Sequence, residues 1–181
     1  MELKDSRRIA ARPEEVWAAI LSPEVLQACI PGCESITGSP EDGFEAVVVQ
    51  KVGPVKARFT GVVTLSDMVA GQSLTISGEG KGGPAGFAKG GAKVRLDPDG
   101  EGTNLSYEVQ AAVGGKLAQL GSRIIDGFAR KLADDFFARL QSAVEAPDTG
   151  ATDEATDAAP EGDGGEGGEK KKGWFRRIIG A

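Results

Sequence analysis

Apolar positions in the first 145 residues recur with two different periods, and the change from one to the other divides the chain. Residues 3–9 alternate weakly between apolar and polar, which predicts an edge strand. Arg12-Pro13-Glu14-Glu15 then opens a helix, with proline in the first turn and acids at the positive end of the dipole. Val16, Trp17, Ile20 and Leu21 form its apolar face. Ser22-Pro23-Glu24 starts a second short helix, serine as cap and proline at the first helical position, and Ile30-Pro31-Gly32 stops it. From Cys33 onward the period is two. Strands are predicted at 34–37, 44–52, 55–67, 73–78, 87–96 and 103–113, separated by short turns such as Gly53-Pro54 and Asp97-Pro-Asp-Gly100. The alternation is clearest where Val55, Ala57, Phe59 and Gly61 interleave with Lys56, Arg58 and Thr60. Consecutive strands with short turns predict an antiparallel meander.

The period returns to that of a helix over 115–144. Leu120, Ile124, Phe128, Leu132, Phe136, Leu140 and Val144 recur every four residues, with Leu117, Ile125 and Phe137 beside them. A single helix of that length runs roughly 45 Å at 1.5 Å per residue and has to lie against the sheet. The predicted fold is therefore α+β: one strand, two short helices, a run of six strands and a long helix. Gly114, Gly115, Gly121 and Gly127 sit where a core helix favours alanine. Close packing of helix on sheet explains them, and so does room for a ligand between the two layers.

Beyond 145 the pattern disappears. Residues 146–169 contain no Lys, Arg, Leu, Ile, Val or aromatic residue, and their eight acidic side chains are unopposed. Such a segment is expected to stay disordered, because it has no apolar surface to offset its ordering entropy. As a coil of 24 residues it spans roughly 25–30 Å. Residues 170–181 reverse the character. Lys170, Lys171, Lys172, Arg176 and Arg177 surround Trp174, Phe175, Ile178 and Ile179, which share one face if the segment coils as a helix. That pattern suits the headgroup layer of an anionic membrane, reversibly bound and too short to span it. A solvated, disordered tail is the plainer alternative, and it leaves the aromatic and isoleucine pairs without a use. The expected organisation is a body at 1–145, an acidic linker at 146–169 and a basic amphipathic tip at 170–181.

Charge and composition narrow the function. The 16 basic and 19 acidic residues of the body are near balance, and the net charge of −6 combines that small excess with the acidic linker, which the basic tip partly offsets. A basic footprint for nucleic acid is missing. No apolar run approaches a membrane span, and the first residues lack a signal peptide's apolar stretch, so a cytoplasmic protein at the inner face of the membrane is expected. The chain has no histidine, which removes the usual general base and the commonest metal ligand. Cys29 and Cys33 alone cannot complete a zinc site and are expected to be reduced thiols in or near the core. Gly78-x-Gly80-x-x-Gly83 matches the dinucleotide fingerprint literally. Pro84, Ala85, Gly86 and a strand-like stretch follow it, so no helix receives a pyrophosphate. A mobile hairpin carrying Phe87, placed to gate a cavity or touch a partner, is the better expectation.

Several segments resemble the CoxG family of carbon monoxide dehydrogenase subunits: Cys29-Ile-Pro-Gly-Cys-Glu-Ser35, Val52-Gly-Pro-Val-Lys-Ala-Arg-Phe59, Gly78-Glu-Gly-Lys-Gly-Gly83, Gly86-Phe-Ala-Lys-Gly-Gly-Ala-Lys93 and Gly114-Gly-Lys-Leu-Ala-Gln-Leu-Gly-Ser-Arg123. The resemblance covers essentially all of 1–145. It implies a START-like helix-grip fold, a curved antiparallel sheet around the C-terminal helix with an apolar cavity. It also implies association with the molybdenum–copper carbon monoxide dehydrogenase and its recruitment to the membrane. With no residues for molybdenum, copper, iron–sulfur or flavin, catalysis is expected on another chain, and this one is expected not to be an enzyme. From helix face and family together, the cavity is expected to be lined by Trp17, Phe59, Phe87, Leu117, Leu120, Gly121, Ile124, Ile125 and Phe128. Its expected ligand is a quinone, of menaquinone or ubiquinone type, or another lipid-like molecule. Two alternatives stay open: a docking adaptor with no physiological ligand, and a START-like enzyme using Asp126, Glu79 and Arg123 as polar cavity groups.

Overall fold

The computed structural model describes residues 1–145, and both the acidic segment 146–169 and the tip 170–181 lie outside the described residues. Strand β1 (Glu2–Ile9) leads into helices α1 (Pro13–Leu21) and α2 (Pro23–Cys29), followed by β2 (Cys33–Ser39), β3 (Gly43–Val52), β4 (Val55–Val69), β5 (Ser73–Lys81), β6 (Phe87–Asp99) and β7 (Gly102–Gly114). Helices α3 (Lys116–Gln119) and α4 (Ser122–Glu145) complete it. The seven strands form one antiparallel sheet in the order β1-β7-β6-β5-β4-β3-β2. The meander from β2 to β7 is as predicted, and β1 closes the far side as an edge strand. The whole is a curved, open helix-grip sheet with its C-terminal helix across one face.

Local signals account for the helices. The Glu15 carboxylate accepts the Arg12 backbone N–H at 2.8 Å, and the Ser22 hydroxyl accepts from the Val25 N–H at 3.4 Å. Each satisfies or tethers a donor that a helix start leaves open. The single helix predicted over 115–144 is instead two. Gly121 takes φ +85°, a left-handed conformation that costs glycine little, and it ends the short α3 before Ser122 begins α4. The four-residue spacing of Leu120 and Ile124 runs across this joint, so periodicity alone joined them.

The glycine-rich hairpin is more regular than its composition suggests. β5 runs through Gly78 and Gly80 to Lys81, which pairs with Phe87, and only a 3-10 turn at Gly83–Ala85 separates the strands. A strand follows it, as the pattern around Gly83 required.

Buried residues fall into two clusters. The larger joins Ile9, Val16, Ala19, Cys29, Leu96, Leu105, Tyr107, Phe137 and Leu140, gathered from β1, α1, α2, β6, β7 and the second half of α4. Thr103 lies fully buried beside it and donates to the Ala11 carbonyl at 2.7 Å. The smaller consists of Val52, Leu117 and Ile125, with Val55, Phe59, Val113, Leu120 and Phe128 packed against it. These clusters sit at opposite ends of α4, and the middle of the sheet lies between them.

Candidate ligand-binding site

Strand register shows what floors that middle. Ala46, Gly61, Gly80, Ala88 and Val113 stand opposite one another across β3 to β7. The next row on the same face is Val63, Gly78, Gly90 and Ala111. A side chain added at Gly80 would meet no atom within 4 Å. Along this face Ala57, Val63, Leu65, Ile76 and Ala92 are only half-buried, whereas Phe44 and Leu74 beyond them are buried. Small residues in register leave this face of the sheet, beneath α4, without large side chains along two neighbouring rows. The signal was in the sequence as the dense Gly and Ala content of 78–92. Only the pairing of strands shows that these residues form one band.

Of the nine residues predicted to line a cavity, Phe59, Leu117, Leu120, Ile125 and Phe128 come together in the smaller cluster, at one end of this band. Trp17 does not join them and packs against the larger cluster, because the face of α1 turns toward β6 and β7. Phe87 and Ile124 are exposed, at 46% and 42%. Gly121 is exposed and serves as the break between α3 and α4 rather than as space beneath a helix. Three surface concavities of about 320, 370 and 440 Å³ open elsewhere, and none of the nine residues borders them.

The glycines of the hairpin are used for close approach. The Phe59 ring covers Gly82, where an added Cβ would stand 2.4 Å from it. An added Cβ at Gly86 would stand 2.0 Å from the Gly114 carbonyl oxygen, and one at Gly115 would stand 2.6 Å from the Gly86 Cα. The β5–β6 turn is thereby pressed onto the joint between β7 and α3. These glycines bind protein backbone, not phosphate.

Sequence reasoning missed a polar group at the other end. Asp5, Arg7 and Tyr107 lie on adjacent strands, Asp5 opposite Tyr107, and border the cavity of about 320 Å³ with Arg130 and Asp134 of α4. Arg7 is ion-paired with Asp134 and, at 3.3 Å, with Asp5. Its guanidinium lies 5.8 Å from the centre of the Phe137 ring, which stacks on Tyr107 at 4.9 Å. The hydrogen bond to Asp134 holds the Arg7 pKa above its usual value, and burial pushes the Tyr107 hydroxyl up. The Arg7 Nε is buried with no hydrogen-bond partner. One available signal was the parity of β1, which puts Arg7 on the same face as Leu3 and Ile9. Of the polar groups considered for an enzyme, Glu79 faces the opposite side of the sheet in a 3.5 Å pair with Lys81 and Arg123 is exposed. Cys29 and Cys33 are both free thiols, Cys29 buried, and burial raises the pKa of each.

The model of the carbon monoxide dehydrogenase subunit family CoxG matches residues 6–145, nearly the whole of the described body. The chain belongs to the CoxG family. Its fold is shared with a conserved protein of Geobacillus kaustophilus, 31% identical with a TM-score of 0.75, the match covering 80% of this chain and 95% of that one. A Thermus thermophilus protein aligns at 18% identity and TM-score 0.62 over 82% of this chain and 100% of its own. A Chromobacterium violaceum protein does so at 17% and 0.60 over 80% and 98%. These last two support the fold alone. The comparison with curated proteins finds no match. No helix among the described residues is long and apolar enough to cross a membrane.

Proposed function

We propose that this CoxG-family chain is an accessory of molybdenum carbon monoxide dehydrogenase that holds the enzyme at the membrane and carries a quinone in the hollow beneath α4. The family name supplies the partner. The band of Gly61, Gly80, Ala88, Gly78 and Gly90 is the observation that carries the ligand, because it keeps side chains out of an apolar space. Oxidising carbon monoxide with water gives carbon dioxide, two protons and two electrons. A quinone that takes up two electrons and two protons leaves as quinol, and both forms dissolve in lipid. The basic tip around Trp174 and Phe175 supplies the tether, and its attraction to anionic lipid is about 1 kcal/mol for each basic residue.

Organic extraction of protein purified gently from its native host, read by mass spectrometry, tests the carrier role. One quinone for each chain is expected, and an extract without quinone or other isoprenoid lipid contradicts it.

The surface concavities lie away from the predicted lining, and this favours a second reading in which the chain only docks the dehydrogenase on the membrane. Gly80→Leu separates the two. Its side chain enters open space without a positive φ to oppose it, so it should stop electron delivery to quinone under the carrier reading and leave it intact under the docking one.

A further inference from the structure

The strand directions put one set of turns at each end of the sheet, and the charges divide between those ends. Near the end formed by Gly53-Pro54, the Gly83–Ala85 turn and the α3–α4 joint stand Lys51, Lys56, Lys81, Lys116 and Arg123, all exposed. The opposite end has Glu41, Asp42, Asp99, Glu101 and Glu145, also exposed. A basic excess therefore stands at the first end, while Arg8 and Arg12 partly offset the acids of the second. Phe87 and Ile124 are exposed large apolar side chains at the basic end. An added Cβ at Gly53 would stand 3.5 Å from the Ile124 Cγ2, so the β3–β4 turn lies against the start of α4. Glu79 is paired with Lys81, and Asp126 is half-buried.

Lys51 and Lys56 face each other in strand register, and neither is ion-paired among the described residues. Like charges opposite one another destabilise a hairpin. An anionic surface laid against the turn relieves that repulsion.

We propose that this end of the body is itself a membrane-docking surface, selective for anionic lipid and independent of the basic tip. Phe87 and Ile124 enter the boundary between headgroups and acyl chains, and the surrounding lysines keep their ammonium groups among the phosphates. Two exposed apolar side chains at one end of the body, one opening β6 and one in the first turn of α4, together with exposed basic residues at that end, match a fluid headgroup layer, which needs charge and shallow insertion but no shape complementarity. The inference does not rest on the quinone reading. It brings the smaller-cluster end of the hollow to the lipid surface.

The full chain carrying Trp174→Ser and Phe175→Ser, with glutamine also replacing Lys170, Lys171, Lys172, Arg176 and Arg177 so that the tip is disabled, is sedimented with vesicles of phosphatidylcholine alone or mixed with phosphatidylglycerol. The expected result is pelleting with the anionic vesicles only, lost at high salt. Adding Lys51→Glu and Lys56→Glu should weaken partition more than tenfold, since each basic residue contributes about a fivefold attraction and two are lost. Ile124→Ser should weaken it severalfold, with circular dichroism checking that both variants stay folded. A tip-disabled chain that remains in the supernatant overturns the proposal, as does equal pelleting with neutral vesicles. Capture of the same surface by an acidic polypeptide without any vesicle binding would assign it to a protein instead.

Discussion

The two ends of α4 are built for different purposes. Toward its C-terminus, Leu140 is fully buried among Ile9, Val16, Leu105 and Phe137, with two short helices covering the sheet. Toward its N-terminus, only Val52, Leu117 and Ile125 are buried, and the strands beside them are floored by Gly and Ala. Burial of apolar area drives folding at about 25 cal/mol per Å², so the first end holds the body together. The second end gives up such burial. Stability is thus concentrated at one end of the helix, and the proposed ligand lies beyond it, over the band of small residues.

The sharpest way to break that contrast is a pair of matched truncations. Phe137→Ala removes a buried ring stacked on Tyr107 and should cost about 3–5 kcal/mol in urea unfolding. Phe128→Ala, half-buried at the other end, should cost well under half of that. Equal losses would mean that the two ends pack alike. Next in size, Thr103→Val leaves the Ala11 carbonyl without its donor in a fully buried place, for a loss of about 1–3 kcal/mol. Gly80→Leu should shift stability by less than about 1 kcal/mol, because the band has room for it, while removing ligand capacity.

The smallest effect is with pH. Glu15, Glu24 and Glu108 are held below the ordinary carboxylate value, Glu15 by the Arg12 backbone N–H, Glu24 by its own backbone N–H, and Glu108 by the Lys4 ammonium. A depressed folded value adds stability above the unfolded pKa, which is lost as pH falls through the folded one. Melting temperature should therefore fall slightly below about pH 4.5, less steeply in Glu15→Gln. All three are exposed, so a steep acid transition there would point to other groups.

Much of this was legible in the residues. Alternation over 55–67 and the turns at Gly53-Pro54 and Asp97-Pro-Asp-Gly100 placed the meander, since side chains on a half-buried strand must alternate. Boundaries at Gly78–Lys81 were not legible, because glycine carries no side-chain pattern to read. The same silence hid the band of small residues, which exists only in the pairing of Gly61 with Gly80 and Gly80 with Ala88. Helix periodicity put Leu120 and Phe128 on one face, and the fold packs both with Phe59 against the smaller cluster. It could not show that α1 points Trp17 elsewhere, a matter of how layers pack and not of spacing. Arg7 was hidden for a different reason, since a charged side chain on an edge strand reads as solvated until Asp134 and Phe137 are brought over it.

The most direct test of a hollow kept open between two packed ends is a titration of the full chain with a short-chain, water-soluble quinone, followed by calorimetry and repeated with Gly80→Leu. Saturable binding of one quinone for each wild-type chain, abolished by Gly80→Leu at unchanged melting temperature, is the predicted result. Equal binding by both proteins, or none by the wild type, would contradict it.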